Sequence, residues 1–175
     1  MLSRSCSVVA AALLLAALTG CTGSGQAPPS PSPTGFASEE EAFAAAEETY
    51  RDYTARLNAY FAGDRSYEPS QYLSGSALKE EEAVLASIRE QEATVDGQTV
   101  IRSFEHVEAT SVEHAWSVTL VACLDYSGTR ILDAVGEDIT PPRDELVPLR
   151  VRVATMGGDD LKIVKSEVIG EPTCA

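Results

Sequence analysis

The apolar residues of this chain change period once, near Asp96-Gly97, and that switch limits the folds open to it. Before it, Phe43, Ala46, Tyr50, Tyr53, Leu57, Tyr60 and Phe61 recur at helical spacing until Gly63 ends the run. Ser38-Glu39-Glu40-Glu41 has the form of a capping box: Ser38 accepts from the first turn, Glu41 reaches back, and three carboxylates suit the positive end of a helix. Pro69 opens a short helical turn, and a second helix is expected over residues 76–92. Its Leu78, Val84, Leu85 and Ile88 would face inward, with Lys79-Glu80-Glu81-Glu82 on the solvated side.

After the switch the pattern is that of strands. Residues 99–109 and 112–124 are rich in β-formers, and the polar Thr110-Ser111 between them suggests a hairpin. In the second run Val112, His114, Trp116, Val118, Leu120, Ala122 and Leu124 alternate onto one face, while Ser117, Thr119 and Cys123 take the other. Three more strands are expected at 129–133, 147–155 and 161–169, the last two joined by Gly157-Gly158-Asp159-Asp160. Residues 134–146, containing Pro141-Pro142, form an exposed loop. Helices first and two-faced strands after them make an α+β fold, with the helices packed on one side of a curved antiparallel sheet.

The folding unit is confined to residues 36–175 by what precedes it. Arg4 provides a short positive region, residues 8–18 are uninterruptedly apolar, and Leu18-Thr19-Gly20-Cys21 follows. About 11 apolar residues at 1.5 Å each cross only about half of a roughly 30 Å hydrocarbon layer, so a permanent transmembrane helix is not expected. The tetrapeptide resembles the lipobox of bacterial lipoproteins. That resemblance implies a signal peptide over residues 1–20, cleavage before Cys21, and a diacylglyceryl thioether on Cys21 that anchors the chain to the outer face of the cell membrane. Two or more acyl chains hold stably, because each buried methylene adds about 0.8 kcal/mol. The alternative is an ordinary secretory leader in which the cysteine is incidental. Residues 22–35 carry no charge, no aromatic ring and no large apolar side chain, so 21–35 reads as lipid site and disordered tether. Such a tether spans about 20 Å as a coil and about 43 Å as polyproline II.

Four cysteines occur in all. Cys6 leaves with the leader and Cys21 is the lipid site, so Cys123 and Cys174 remain as an even pair in an oxidising compartment. A disulfide between them is expected, with two buried free thiols as the alternative. The net charge is −14, and −15 once the leader removes Arg4, its only charged residue. Such a surface argues against nucleic acid or anionic lipid as the main partner.

Helix, short helix, helix and then an antiparallel meander is similar to the α+β cone of the NTF2-like superfamily, which includes ketosteroid isomerase, SnoaL-type cyclases and scytalone dehydratase. Cys123-Leu124-Asp125-Tyr126-Ser127, a short strand ending at Asp133, two final strands and a terminal Cys174 also resemble small lipoproteins of high-GC Gram-positive bacteria. Those relatives often open the last strand with an aromatic residue, where this chain has Leu161-Lys162. The resemblance implies a fold and a disulfide and transfers no catalytic residue.

Chemistry is sparse in the sequence. His106 and His114 are the only histidines, each preceded by glutamate, and neighbours on a strand point to opposite faces, so neither pair chelates a metal locally. There is no phosphate loop, nucleophile elbow or zinc-protease helix motif, and no cofactor is expected. The one enzymatic arrangement open to the chain is a cone pocket in which His114 beside Trp116, or His106, acts as general base with Tyr50 or Tyr53 nearby. The preferred expectation is a non-catalytic, membrane-tethered binding or scaffolding module for an envelope protein or a small apolar ligand. Polar Ser117 and Thr119 on the open sheet face favour a monomer.

Overall fold

A computed structural model describes residues 35–157, 160–170 and 174. The expected leader, Cys21 and nearly all of the tether lie outside these residues, as do Gly158 and Asp159 of the expected last turn.

Helix α1 runs Glu39–Phe61 and begins as its sequence requires: Ser38 is extended, and its hydroxyl accepts the Glu41 N–H at 3.2 Å. The return bond from the Glu41 carboxylate goes to the Ala37 N–H at 2.7 Å, one residue earlier than in a reciprocal capping box. Ala42, Ala46, Tyr50 and Thr54, spaced by four, are buried along one stripe. A single 3-10 turn at Pro69–Gln71 leads to helix α2, Gly75–Glu90. The connection is stitched to the sheet: the Ile163 N–H donates to Tyr72 O at 2.8 Å, and the Ser74 N–H donates to Ile163 O at 2.9 Å. On α2 the buried residues are Ala77 and Leu85, whereas Val84, expected inside, is 52% exposed.

The strands are β1 Thr94–Asp96, β2 Val100–Val112, β3 Ala115–Asp125, β4 Arg130–Leu132, β5 Leu146–Thr155 and β6 Leu161–Val168. Four of them form one antiparallel sheet in the order β2-β3-β5-β6. Its helix-facing side carries Val118, Leu120, Ala122, Leu124, Val151, Val153 and Ile163, which pack with Ala42, Phe43, Ala46 and Tyr50 as the core. Each Val, Leu, Ile or Phe among them contributes about 1.5–3 kcal/mol by leaving water. The α+β architecture is therefore the one that the change of period implied.

Three details depart from the sequence reading. The β2–β3 turn lies at Glu113-His114, both at positive φ (50° and 70°), and not at Thr110-Ser111. A two-residue loop with both residues left-handed matches the twist of the strands it joins, and both strands continue up to it. The second departure is β4, which leaves the meander and pairs with β1 in a separate two-stranded sheet. Strand β1 was not expected, because three residues are too few to show a period. Finally, β2 has register shifts between Ile101 and Ser103 and between His106 and Glu108, and these change which residues face the helices.

Cys123 and Cys174 lie at disulfide distance, with their sulfurs 2.01 Å apart and their Cα atoms 5.4 Å apart, tying Cys174 to the C-terminal part of β3. Among the described residues no helix is long and apolar enough to cross a membrane.

Candidate functional site

One end of the layered structure is not filled. A cavity of about 680 Å³ lies between α1, α2, Val95 of β1 with the turn after it, and the Tyr126, Leu149 and Val168 end of the main sheet. That volume falls within the roughly 300–1,000 Å³ of small-molecule sites. Buried Tyr50, Leu73, Ala77, Leu124 and Ile163 form its deep wall, and exposed Val84, Glu80 and Val168 mark its mouth. From α1 the positions Tyr50, Tyr53, Thr54, Leu57, Asn58 and Phe61 line it, which is a single helical face.

The walls are mostly apolar and aromatic, and of the three carboxylates in the lining, Glu80, Glu81 and Glu167, one is held by tyrosine hydroxyls. Glu81 of α2 is half-buried; its Oε2 accepts from the Tyr53 hydroxyl at 3.2 Å and its Oε1 from the Tyr67 hydroxyl at 3.3 Å. Burial pushes the Glu81 carboxyl above the ordinary glutamate range, and the two tyrosine hydrogen bonds partly oppose that rise. Tyr50, Tyr53 and Tyr67 are all held well above the usual phenol range, first by burial and then by nearby groups that include Glu81. Tyr126 rises through burial and the Glu81 charge, against the opposing pull of Arg143. Four tyrosines thus surround one carboxylate.

The cations that line the cavity are already engaged. Arg143 Nη2 donates to Thr129 O at 2.8 Å, and its guanidinium lies 5.3 Å over the Tyr126 ring. Lys165 Nζ pairs with Glu167 at 2.7 Å. Among the described residues Glu81 makes no ion pair.

Two backbone features close this end of the fold. The Asn58 side chain acts like a strand partner, donating to Thr99 O at 2.9 Å and accepting the Thr99 N–H at 3.0 Å. Gly97 takes φ +89°, and a Cβ there would sit 1.8 Å from Gly128 O, so no other residue fits. The chain enters the domain at the opposite end of the sheet, where Phe36 packs on Trp116 with ring centroids 6.2 Å apart.

The histidines expected to carry chemistry stand elsewhere. His106 stacks on Phe43 (ring centroids 4.1 Å, interplanar 2°) and its Nε2 lies 2.8 Å from Glu47, so it is a packing residue on β2 outside the cavity lining. His114 occupies the exposed hairpin turn, because the turn falls three residues later than the pattern suggested. Tyr50 and Tyr53 do reach the cavity, and the titratable group they meet is Glu81. A signal for Glu81 was present in the sequence: it falls four residues after Ala77 and four before Leu85, on the buried stripe of α2. Among the described residues no group of three or more His, Cys, Asp or Glu side chains could hold a metal ion. Cys123 and Cys174 border a second hollow of about 370 Å³ with Arg102, Asp125 and Ser127, and Cys21 lies outside the described residues.

No family model matches the chain, and no curated protein matches it. Among solved structures, the intermembrane space region of the chloroplast protein ARC6 is similar to it, with a TM-score of 0.53 and 17% identity, covering 73% of this chain and 96% of that one. At that identity the likeness bears on the α+β fold alone.

Proposed function

We propose that this chain is a lipoprotein of the bacterial envelope, of the high-GC Gram-positive type, anchored through Cys21 to the outer face of the membrane. Its NTF2-like domain is a monomeric, non-catalytic binding module that takes a small, largely apolar ligand. The leader and the charge-free tether support the address. The observation that carries the binding role is the cavity of about 680 Å³, walled largely by aromatic and aliphatic side chains, with the Glu81 carboxylate held on it by two tyrosine hydroxyls.

The test is titration of the chain from residue 21, with Cys21→Ser to prevent lipidation, with the apolar fluorophore N-phenyl-1-naphthylamine. Saturable enhancement is expected. Ile88→Trp, which fills the half-buried wall, should abolish it while the thermal transition is retained. No enhancement in the parent chain, or an unchanged signal in the filled variant, would count against the reading.

A second reading is favoured by the raised Glu81 carboxyl beside two hydroxyl donors: an enzyme in which Glu81 moves a proton on a bound substrate. Turnover of any cavity-bound compound that disappears in Glu81→Gln would establish it, and ligand recovered unchanged after long incubation speaks for binding alone.

A further inference from the structure

The polar end of the cavity has a definite sign. Glu81 accepts only neutral donors, the hydroxyls of Tyr53 and Tyr67, and makes no ion pair among the described residues. The two positive side chains that line the cavity are committed, Arg143 to Thr129 and the face of Tyr126, and Lys165 to Glu167. Glu80 adds a further carboxylate at the mouth, and Glu167 is balanced by Lys165. Tyr50, Tyr53, Phe61 and Tyr126 bring aromatic rings to the same space. A carboxylate among aromatic rings is the arrangement that recognises an ammonium group: the rings offer their negative faces, and the carboxylate gains a charge-assisted hydrogen bond that the tyrosines do not supply. A neutral ligand would leave that carboxylate without a counter-charge, and an anionic one would face it as a like charge.

The geometry points to a cationic amphiphile as the occupant: a single ammonium head set on Glu81 among the tyrosines, with an apolar body along Leu57, Ile88 and Ile131. This rests on the proposed binding role and narrows it to one ligand class. Specificity then comes from the head, since the apolar walls accept any body of suitable size.

Three probes of equal length separate the possibilities: decylamine, decanol and decanoate, each titrated below micelle-forming concentrations against the chain from residue 21 with Cys21→Ser. Affinity is read by displacement of N-phenyl-1-naphthylamine and by calorimetry. At neutral pH decylamine should bind at least about tenfold more tightly than decanol, and decanoate most weakly. In Glu81→Gln the amine-to-alcohol ratio should fall to near unity. Equal affinities for the three probes, or a preference for decanol or decanoate, would overturn the cationic assignment and leave the apolar binding role standing. Binding of none of them, the fluorophore included, would overturn both. The comparison in the parent chain decides the matter even where Glu81→Gln fails to fold.

Discussion

Tyr53 on α1 and Glu81 on α2 are joined by a hydrogen bond of 3.2 Å that links the two helices across the cavity they line. Tyr67, itself buried, takes the other carboxylate oxygen at 3.3 Å. The carboxylate therefore has a fixed orientation on the inner face of the helix pair, although its helix also carries Lys79, Glu80 and Glu82 in water. That orientation decides what the cavity can select.

The first prediction follows from the Glu81 titration. Burial raises its carboxyl above the glutamate range, so the folded chain holds this proton more tightly than the unfolded chain does. Between the unfolded and folded values the folded state binds more protons, and stability must fall as pH rises through that window before levelling off above it. Glu81→Gln removes the slope. Urea unfolding from pH 4 to pH 8 should show the variant gaining on the parent as pH rises, and a pH-independent difference would contradict the assignment. Tyr53→Phe removes a bond that favours the charged form and should move the window upward.

Reducing the Cys123–Cys174 pair should cost about 4 kcal/mol by the chain-entropy argument, since the closed loop spans 51 residues. Urea midpoints with and without reductant measure it. Cys123→Ala with Cys174→Ala should reproduce the reduced value; no shift would mean that the unfolded chain gains little freedom when the pair opens.

Asp125 behaves in the opposite sense to Glu81. Ser127, through side chain and backbone N–H, and Arg102 hold its carboxyl down to about 2. Its contribution is present above the unfolded value of about 3.9 and is lost as pH falls through the folded value. Acid titration of stability should show that loss between about pH 4 and pH 2 in the parent chain and lack it in Asp125→Asn.

The β2–β3 turn holds Glu113 and His114 at φ 50° and 70°, where side-chain-bearing residues are strained. Glu113→Asn together with His114→Gly suits a left-handed two-residue loop and should stabilise the fold by about 1 kcal/mol, raising the melting temperature by a few degrees. Binding of the apolar fluorophore should be unaffected. A lowered melting temperature would argue against this turn, and lost fluorophore binding would return His114 to the site.

How far the sequence foretold this structure differs from element to element, for physical reasons. Val118, Leu120, Ala122 and Leu124 could be read as one buried face because β3 keeps its period of two throughout. In β2 the residues facing the helices, Ile101, Phe104, His106 and Ala109, switch between odd and even positions, because register shifts near Arg102 and Val107 each insert a residue. The Ser38 cap was legible because it is local. Glu81 was masked by the charged run around it, although its spacing from Ala77 and Leu85 puts it on the buried stripe. The cavity itself left no local trace, since its walls join residues as distant as Tyr50 and Val168.

The central claim is that this cavity receives a ligand, and methyl NMR of the selectively labelled chain from residue 21, with Cys21→Ser, tests it most directly. On titration with N-phenyl-1-naphthylamine the methyl signals of Leu57, Ile88, Val95 and Ile131, all in the lining, should shift saturably. Those of Val107 and Val112, exposed on β2 and outside the lining, should stay in place. Shifts confined to Val107 and Val112, or no saturable shift at any cavity methyl, would contradict the account.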